Sequence, residues 1–541
     1  MIEFQYKLPA MNIEGRKNGT YNNRELGFPS VLTTTDYRLG EFIHTLRSNI
    51  YADRALVFVD GKILMCNKNW IRDHVHVMKG MRHFEYDLGS FLNFIIDTQR
   101  EDGQFYELIK QMDDYHWKMV DEDCRVLYEE DNLSLVRLEL EADIEYLVVE
   151  GAMYFYRTTG DNEWLKNVLP KLEKGIDYVT SDEKRWDREH GLVKRPFSID
   201  TWDFTNDIAS CHDRRIHDDE PMSIMHGDNS GVFRAMNQLA FFNRRLGNEE
   251  KAIEWEKRAS DIRSNMMKYL WNGNFFMHQY HLGHDGVDNL EGERLSLSNP
   301  YDINRGVTTV EESRKIIEEY MRRRDTTDYF AEWFSIDPPY EKFNSRKPGE
   351  YVNGAISPFT AGELAKAAFD NGYEEYGWSI ISRFIELAER DGTVYFLYYP
   401  DSTPQPDGGP SSWGAAALIN AVDEGLAGIK DLGVNYDEIS FAPRFPVTHY
   451  EELRYITGYE VSKALVDVRW IKRDEGMRYD ITSPAKKLYA HFLMPKGKKC
   501  KELLVNGVST AFTESKIGDS EYVDISFENL TEKKMSFEII Y

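Results

Sequence analysis

Four stretches of the chain carry side chains that could do chemistry on a hydroxylated, ring-shaped molecule. In Trp70-Ile71-Arg72-Asp73, just ahead of a helix, Arg72 offers a planar donor fork and Asp73 two acceptors, a match for vicinal hydroxyls. Its bland alternative is a helix cap. In Ser198-Ile199-Asp200-Thr201-Trp202-Asp203, two carboxylates flank Trp202. A carboxyl beside an indole loses hydration, so its pKa rises toward what a general acid at neutral pH requires. The same residues would also serve as an Asp cap over a buried Trp, and Asp207 is a reserve candidate. The third stretch, Pro348-Gly349-Glu350-Tyr351-Val352-Asn353-Gly354 through Pro358, sits where a loop meets a helix mouth. There Glu350 could activate water or bind a hydroxyl; otherwise the stretch is a structured turn. The fourth, Tyr395-Phe396-Leu397-Tyr398-Tyr399-Pro400-Asp401 with Asp407 to Trp413 following, would make a sugar platform or a loop packed by its own aromatics.

Other chemistries find less support. His212, His217 and His226 lie among acids, but their spacing is loose for a metal, and His74 and His76 do not share a helix face. No phosphate-binding glycine loop and no GxSxG elbow is present, and Cys66, Cys124, Cys211 and Cys500 form no CxxC pair. The sequence therefore calls for no cofactor and no metal. The charge of 66 − 92 = −26 repels phosphate backbones, and no long apolar run predicts a membrane span. The start of the chain has no basic region followed by an apolar one. The expectation is a cytoplasmic protein with free thiols, or a secreted one already trimmed.

Elements must bring these stretches together. Residues 1–36 are polar and turn-rich. From 37 to about 430, apolar residues recur at three- and four-residue steps, which predicts ten helices: 37–49, 74–98, 141–158, 163–180, 229–246, 250–271, 308–323, 357–370, 373–390 and 411–427. Many form pairs joined by short glycine turns, and the pairing runs too long for a four-helix bundle. Long loops at 99–140, 185–228, 272–307, 326–356 and 391–410 are where function is expected. Beyond 430, alternating runs predict an antiparallel β-sandwich.

Taken together these pieces resemble the six-hairpin glycosidases, whose catalytic domain is an (α/α)6 barrel. Trp70-Ile71-Arg72-Asp73 looks like the W-x-R-D element of glucoamylases, whose Arg–Asp pair binds the terminal sugar. Asp200-Thr201-Trp202-Asp203 looks like their D-L-W-E element, whose last acid donates the proton. Tyr351-Val352-Asn353-Gly354 through Pro358 resembles a Y-x-N-G-x-x-x-P stretch of the wider clan. Ser412-Trp413-Gly414-Ala415-Ala416-Ala417 with Glu424-Gly425-Leu426-Ala427-Gly428-Ile429 is similar to the last barrel helix of rhamnosidases, which also often end in a β-sandwich. The chain departs from glucoamylases where they carry the catalytic base: Phe396 stands there, and Asp391, Asp401 and Asp407 are the acids of that loop.

The expectation is a mainly α protein: an N-terminal extension (1–36), an (α/α)6 toroid barrel (37–430) and a small C-terminal antiparallel β-sandwich (431–541). The resemblance implies a glycoside hydrolase acting on an oligo- or polysaccharide, with inversion. Asp203 would be the acid, with Asp401 or Glu350 as the base. Trp70, Arg72, Asp73, Asp200, Trp202, Tyr351, Asn353 and Trp413 would contact the carbohydrate. Inversion predicts carboxyl groups roughly 6.5–9.5 Å apart, retention about 5–5.5 Å. Three rivals stand beside it: a glycoside phosphorylase, which needs no base; a sugar epimerase or lyase, marked by His226 paired with a second pocket histidine; and a glycan-binding protein without turnover.

Overall fold

Asp36, Asp161, Ser357 and Ser411 each accept a backbone N–H with their side chains, and Thr309 with Glu312 forms a capping box; each starts a helix. The computed structural model describes residues 4–5, 32–112, 124–200, 202, 205, 214–406, 409–531 and 533–541. Among them are twelve α-helices. They are α1 (Tyr37–Ala52), α2 (Ile71–Met81), α3 (Ser90–Asp97), α4 (Ile144–Thr159), α5 (Asn162–Val179) and α6 (His226–Arg245). The rest are α7 (Glu249–Tyr269), α8 (Ser298–Arg305), α9 (Val310–Thr326), α10 (Pro358–Asp370), α11 (Glu374–Asp391) and α12 (Ser412–Asn420). A π-turn, Ala421–Leu426, extends α12.

The even-numbered helices pack in a closed circuit: α2 on α4, α4 on α6, α6 on α8, α8 on α10, α10 on α12 and α12 on α2. The odd-numbered helices pack against them. Missing side chains let the circuit close. A Cβ on Gly362 of α10 would lie 2.5 Å from the Ala417 backbone of α12, and one on Gly80 of α2 would lie 2.9 Å from Ala416.

Two helices differ from the sequence expectation. The run 74–98 is broken, because Arg82, His83 and Glu85 leave the helix for distant partners: Glu424, the Gly458 carbonyl and Arg54. Asp87 then accepts from Ser90 N–H and starts α3. Helix α8 is invisible to hydrophobic periodicity because its buried residues include Ser298, Asn299, Asp302 and Arg305. The expected loop 99–140 contains a three-stranded sheet, with Leu133–Val136 between Leu108–Gln111 and Arg125–Tyr128.

The C-terminal part holds a seven-stranded and a five-stranded sheet. Phe441, Phe492 and Phe527 of the smaller sheet meet Tyr479 and Phe537 of the larger through ring contacts of 4.9–6.0 Å. One pairing departs from the antiparallel expectation: Glu438–Phe441 runs parallel to Lys487–Leu493, the long intervening chain supplying the crossover that parallel strands need. The segment ahead of α1 is tied into the larger sheet. Thr33 and Thr34 pair with Ile456 and Tyr455, and Asp36 accepts the Tyr450 hydroxyl at 3.0 Å. No helix among the described residues is long and apolar enough to cross a membrane.

Candidate active site

The first turns of the inner helices converge. Trp413 of α12 stacks on His76 of α2 (centroids 4.1 Å, planes 11°) and on Phe359 of α10 (4.9 Å), and its indole N–H donates to Tyr301 of α8 at 2.8 Å. His226 of α6 meets Asp302 of α8 at 2.6 Å. Arg72 of α2 meets Asp143, the cap of α4, through two bonds of 2.6 and 2.7 Å.

From this centre an unbroken run of rings leads outward. Phe359 packs on Phe396 (5.5 Å), Phe396 on Trp202 (6.1 Å), and Trp202 on Tyr351 (5.0 Å). Trp202, Tyr351 and Trp413, named from three separate stretches, thus share one aromatic wall with Phe396. Gln405 joins two of the stretches further, accepting the Tyr351 N–H and donating to the Gly349 carbonyl.

The polar residues are placed differently from what the sequence suggested. Asp203, Asp207 and Asp407 lie outside the described residues. Trp70 caps α2, half-buried, with Lys110 Nζ 6.0 Å from its ring centroid. Arg72 is buried and turns to Asp143 and Glu141 rather than standing open as a clamp with the half-buried Asp73. Asp200 is buried, its two oxygens taken by the hydroxyl (2.5 Å) and N–H (3.2 Å) of Ser298. Asn353 is buried and bonds the backbone of Tyr340 and Arg346, which pins its loop. Glu350 accepts the Lys347 N–H at 2.9 Å. Asp401 is exposed and accepts the Thr403 N–H at 2.9 Å, which holds its carboxyl below the usual carboxylate range. The aromatic frame and Arg72 are therefore together, whereas both base candidates are engaged with turn backbone.

Sequence reasoning passed over a set of buried carboxyls at the helix starts. Glu107 is pushed up to about 7 by burial, against the pull of Arg137, which donates to it at 3.0 Å, and of Arg72. Asp228, in the first turn of α6, is raised to about 6 by burial, with Arg195 pulling down and Asp143 and Asp200 pushing up. Among the described residues neither Asp228 oxygen accepts a hydrogen bond; the Arg195 guanidinium is 3.8 Å away. His76 is held neutral by burial and the cations Lys79, Arg305 and Arg72. Asp228 was visible only as one acid among the histidines of 212–226. Glu141 and Asp143 carry no mark in the sequence beyond standing at the start of the helix expected over 141–158. Such an array of acids with raised pKa values, pinned carboxylates and rings can hold hydroxyls and transfer a proton.

His226 does not serve as an open acid or base, since Asp302 and Ser296 occupy its two nitrogens at 2.6 and 2.8 Å. Among the described residues no group of three or more His, Cys, Asp or Glu side chains could hold a metal ion.

No family model and no curated protein matches this sequence. Solved structures do. An α-L-rhamnosidase from Dictyoglumus thermophilum superposes with a TM-score of 0.58 at 13% identity, covering 94% of this chain and 51% of that one. An α-L-rhamnosidase from Streptomyces avermitilis, complexed with L-rhamnose, gives 0.56 at 12% identity, covering 94% and 42%. A sialidase gives 0.56 at 13% identity, covering 96% and 43%. The chain spans about half or less of the length of each. The likeness is one of fold, and the fold is of the six-hairpin glycosidase type. At such identity the same scaffold serves proteins with different names and sugars, so the activity must be argued from the site.

Proposed function

We propose that the chain is a glycoside hydrolase whose substrate enters where the first turns of an (α/α)6 toroid of inner helices meet. One observation carries this reading: the run of rings Trp202–Phe396–Phe359–Trp413–His76 beside Arg72 and the buried acids Asp143, Glu107 and Asp228. Ring faces take the apolar C–H faces of a sugar, and carboxyls and guanidinium take its hydroxyls. Asp203, directly after Trp202, protonates the leaving oxygen; Asp401 or Glu350 deprotonates water on the opposite face, with inversion. Residues 37–430 form the catalytic body and 431–541 a C-terminal β-sandwich. An oligo- or polysaccharide is the class of substrate.

A phosphorylase is the second reading, favoured by a specific observation. At the position where the resemblance places the base, Phe396 is packed into the aromatic wall, and Asp401 lies exposed. A paired-histidine epimerase loses support because His226 is spent on Asp302 and Ser296. The test is release of product from an oligosaccharide panel, with the first-formed anomer read by NMR, with and without phosphate. Inverted sugar without phosphate supports hydrolysis, and sugar phosphate supports the second reading. Binding without any product overturns both.

A further inference from the structure

Asp200 has φ +49, in the left-handed region that a residue with a Cβ adopts only under constraint. The constraint comes from the backbone of the turn being held at both ends. At one end the Asp200 N–H donates to Nε2 of His278 at 2.9 Å. An accepting Nε2 puts the ring proton on Nδ1, which faces Glu291 at 3.0 Å. Glu291 also accepts from the Tyr340 hydroxyl at 2.6 Å and from Arg294 at 3.1 Å, so it stays a carboxylate and keeps that tautomer in place. At the other end the Trp202 carbonyl accepts from Arg195, whose second nitrogen faces Asp228 at 3.8 Å. His278, Arg195 and Asp228 are all buried.

We propose that His278 and Arg195 are positioning residues of the site, holding the Asp200–Trp202 turn by its backbone: His278 accepts the Asp200 N–H, and Arg195, backed by Asp228, donates to the Trp202 carbonyl. A turn fixed in this way, with the Asp200 carboxyl also held by Ser298, aims the Trp202 ring. The effect on turnover rests on the glycosidase reading; the hold on the turn does not.

The test uses the full chain with His278→Leu, His278→Gln and Arg195→Lys. Glutamine carries a carbonyl oxygen that can stand where Nε2 stands. Hydrogen exchange at the Asp200 amide should accelerate about tenfold or more in His278→Leu and stay near the native rate in His278→Gln, as expected when one protecting bond is removed and restored. On 4-nitrophenyl glycosides, His278→Leu should lose about 10²-fold in kcat at little cost in KM, the scale of a misplacement near 1 Å, with Gln recovering most of it. Glutamine behaving like leucine, or leucine leaving the Asp200 amide at the native rate, overturns the proposal. Arg195→Lys, which keeps the charge but shortens the reach, gives a reading should His278→Leu fail to fold. It should red-shift the emission assigned to Trp202 by comparison with Trp202→Phe; unchanged emission overturns the Arg195 half. If exchange behaves as expected but no glycoside is cleaved, the glycosidase reading fails and the clamp stands. Cleavage with an insensitive Asp200 amide gives the converse.

Discussion

Replacing Arg72 with Met tests whether the buried charges at the helix starts form one balanced unit. Methionine keeps most of the aliphatic volume, so packing loss is small. What goes is the cation that binds Asp143 through two bonds, contacts Glu141 and pulls Glu107 down. At 4 Å and an effective dielectric constant of about 20, one such attraction is worth about 4 kcal/mol. Removing one partner of a buried pair typically costs about 3–5 kcal/mol. The expectation is a loss of that size in urea unfolding followed by circular dichroism at pH 8. The loss should shrink toward pH 5. Without Arg72 the Glu107 carboxyl, which burial already raises to about 7 and Arg72 pulls down, rises further, so the folded state takes up a proton as pH falls and part of the penalty is neutralised. A second change, Asp143→Asn, should recover part of the stability lost in Arg72→Met. A loss under about 1 kcal/mol, or one independent of pH, would refute the reasoning.

Four buried carboxyls should contribute stability that falls as pH rises from about 5 to 8, opposed below about pH 6.5 by buried His74, His76 and His83, whose pKa values burial lowers. Burial lifts Glu107 and Asp423 to about 7 and Asp228 and Asp431 to about 6, against about 4 in the unfolded chain. The folded state then holds protons the unfolded chain has released, and each must be given up across that window. Glu107→Gln removes one such contribution, so its melting temperature relative to the native chain should rise as pH goes from about 5 to 8 in matched buffers, and a pH-independent difference contradicts this. Gly227→Ala would put a Cβ 2.3 Å from the Ser298 hydroxyl and 2.9 Å from Asp200 Oδ1. About 1–3 kcal/mol of stability should go with it, in a chemical denaturation curve. For the chemistry, Asp203→Asn should remove most turnover on a genuine substrate, and retention of it makes the acid assignment wrong. Of Asp401→Asn and Glu350→Gln, the true base should cost about 10²–10⁴-fold in kcat. If neither does, phosphate dependence becomes the measurement to make.

Much of the scaffold was legible because apolar residues at helical spacing mark whichever face is buried. Helix α8 escaped because its buried face is polar, satisfied by Asp200, Phe276 and Gly227 from other elements. Helices α2 and α3 merged in the reading because Arg82, His83 and Glu85 look like surface residues until their distant partners are known. At the site the aromatics were legible from type and order: Trp202, Tyr351 and Trp413 come together without any polar partner needing to be foreseen. The acids were not. Arg72 looked paired with its neighbour Asp73, but its partner Asp143 is 71 positions away, and Ser298 is 98 from Asp200. Such pairings are set by the closure of the ring, and periodicity carries no information about them.

The strand Thr33–Thr34 and the bond from Tyr450 to Asp36 set an order of assembly. Asp36 also starts α1 by accepting the Leu39 N–H at 2.7 Å. The first hairpin of the ring is thus anchored by residues synthesised more than four hundred positions later. A chain can build its middle hairpins from local contacts, but its opening helix packs on α11 and α12, and the segment ahead of it is tied down only when strand Glu452–Gly458 is in place.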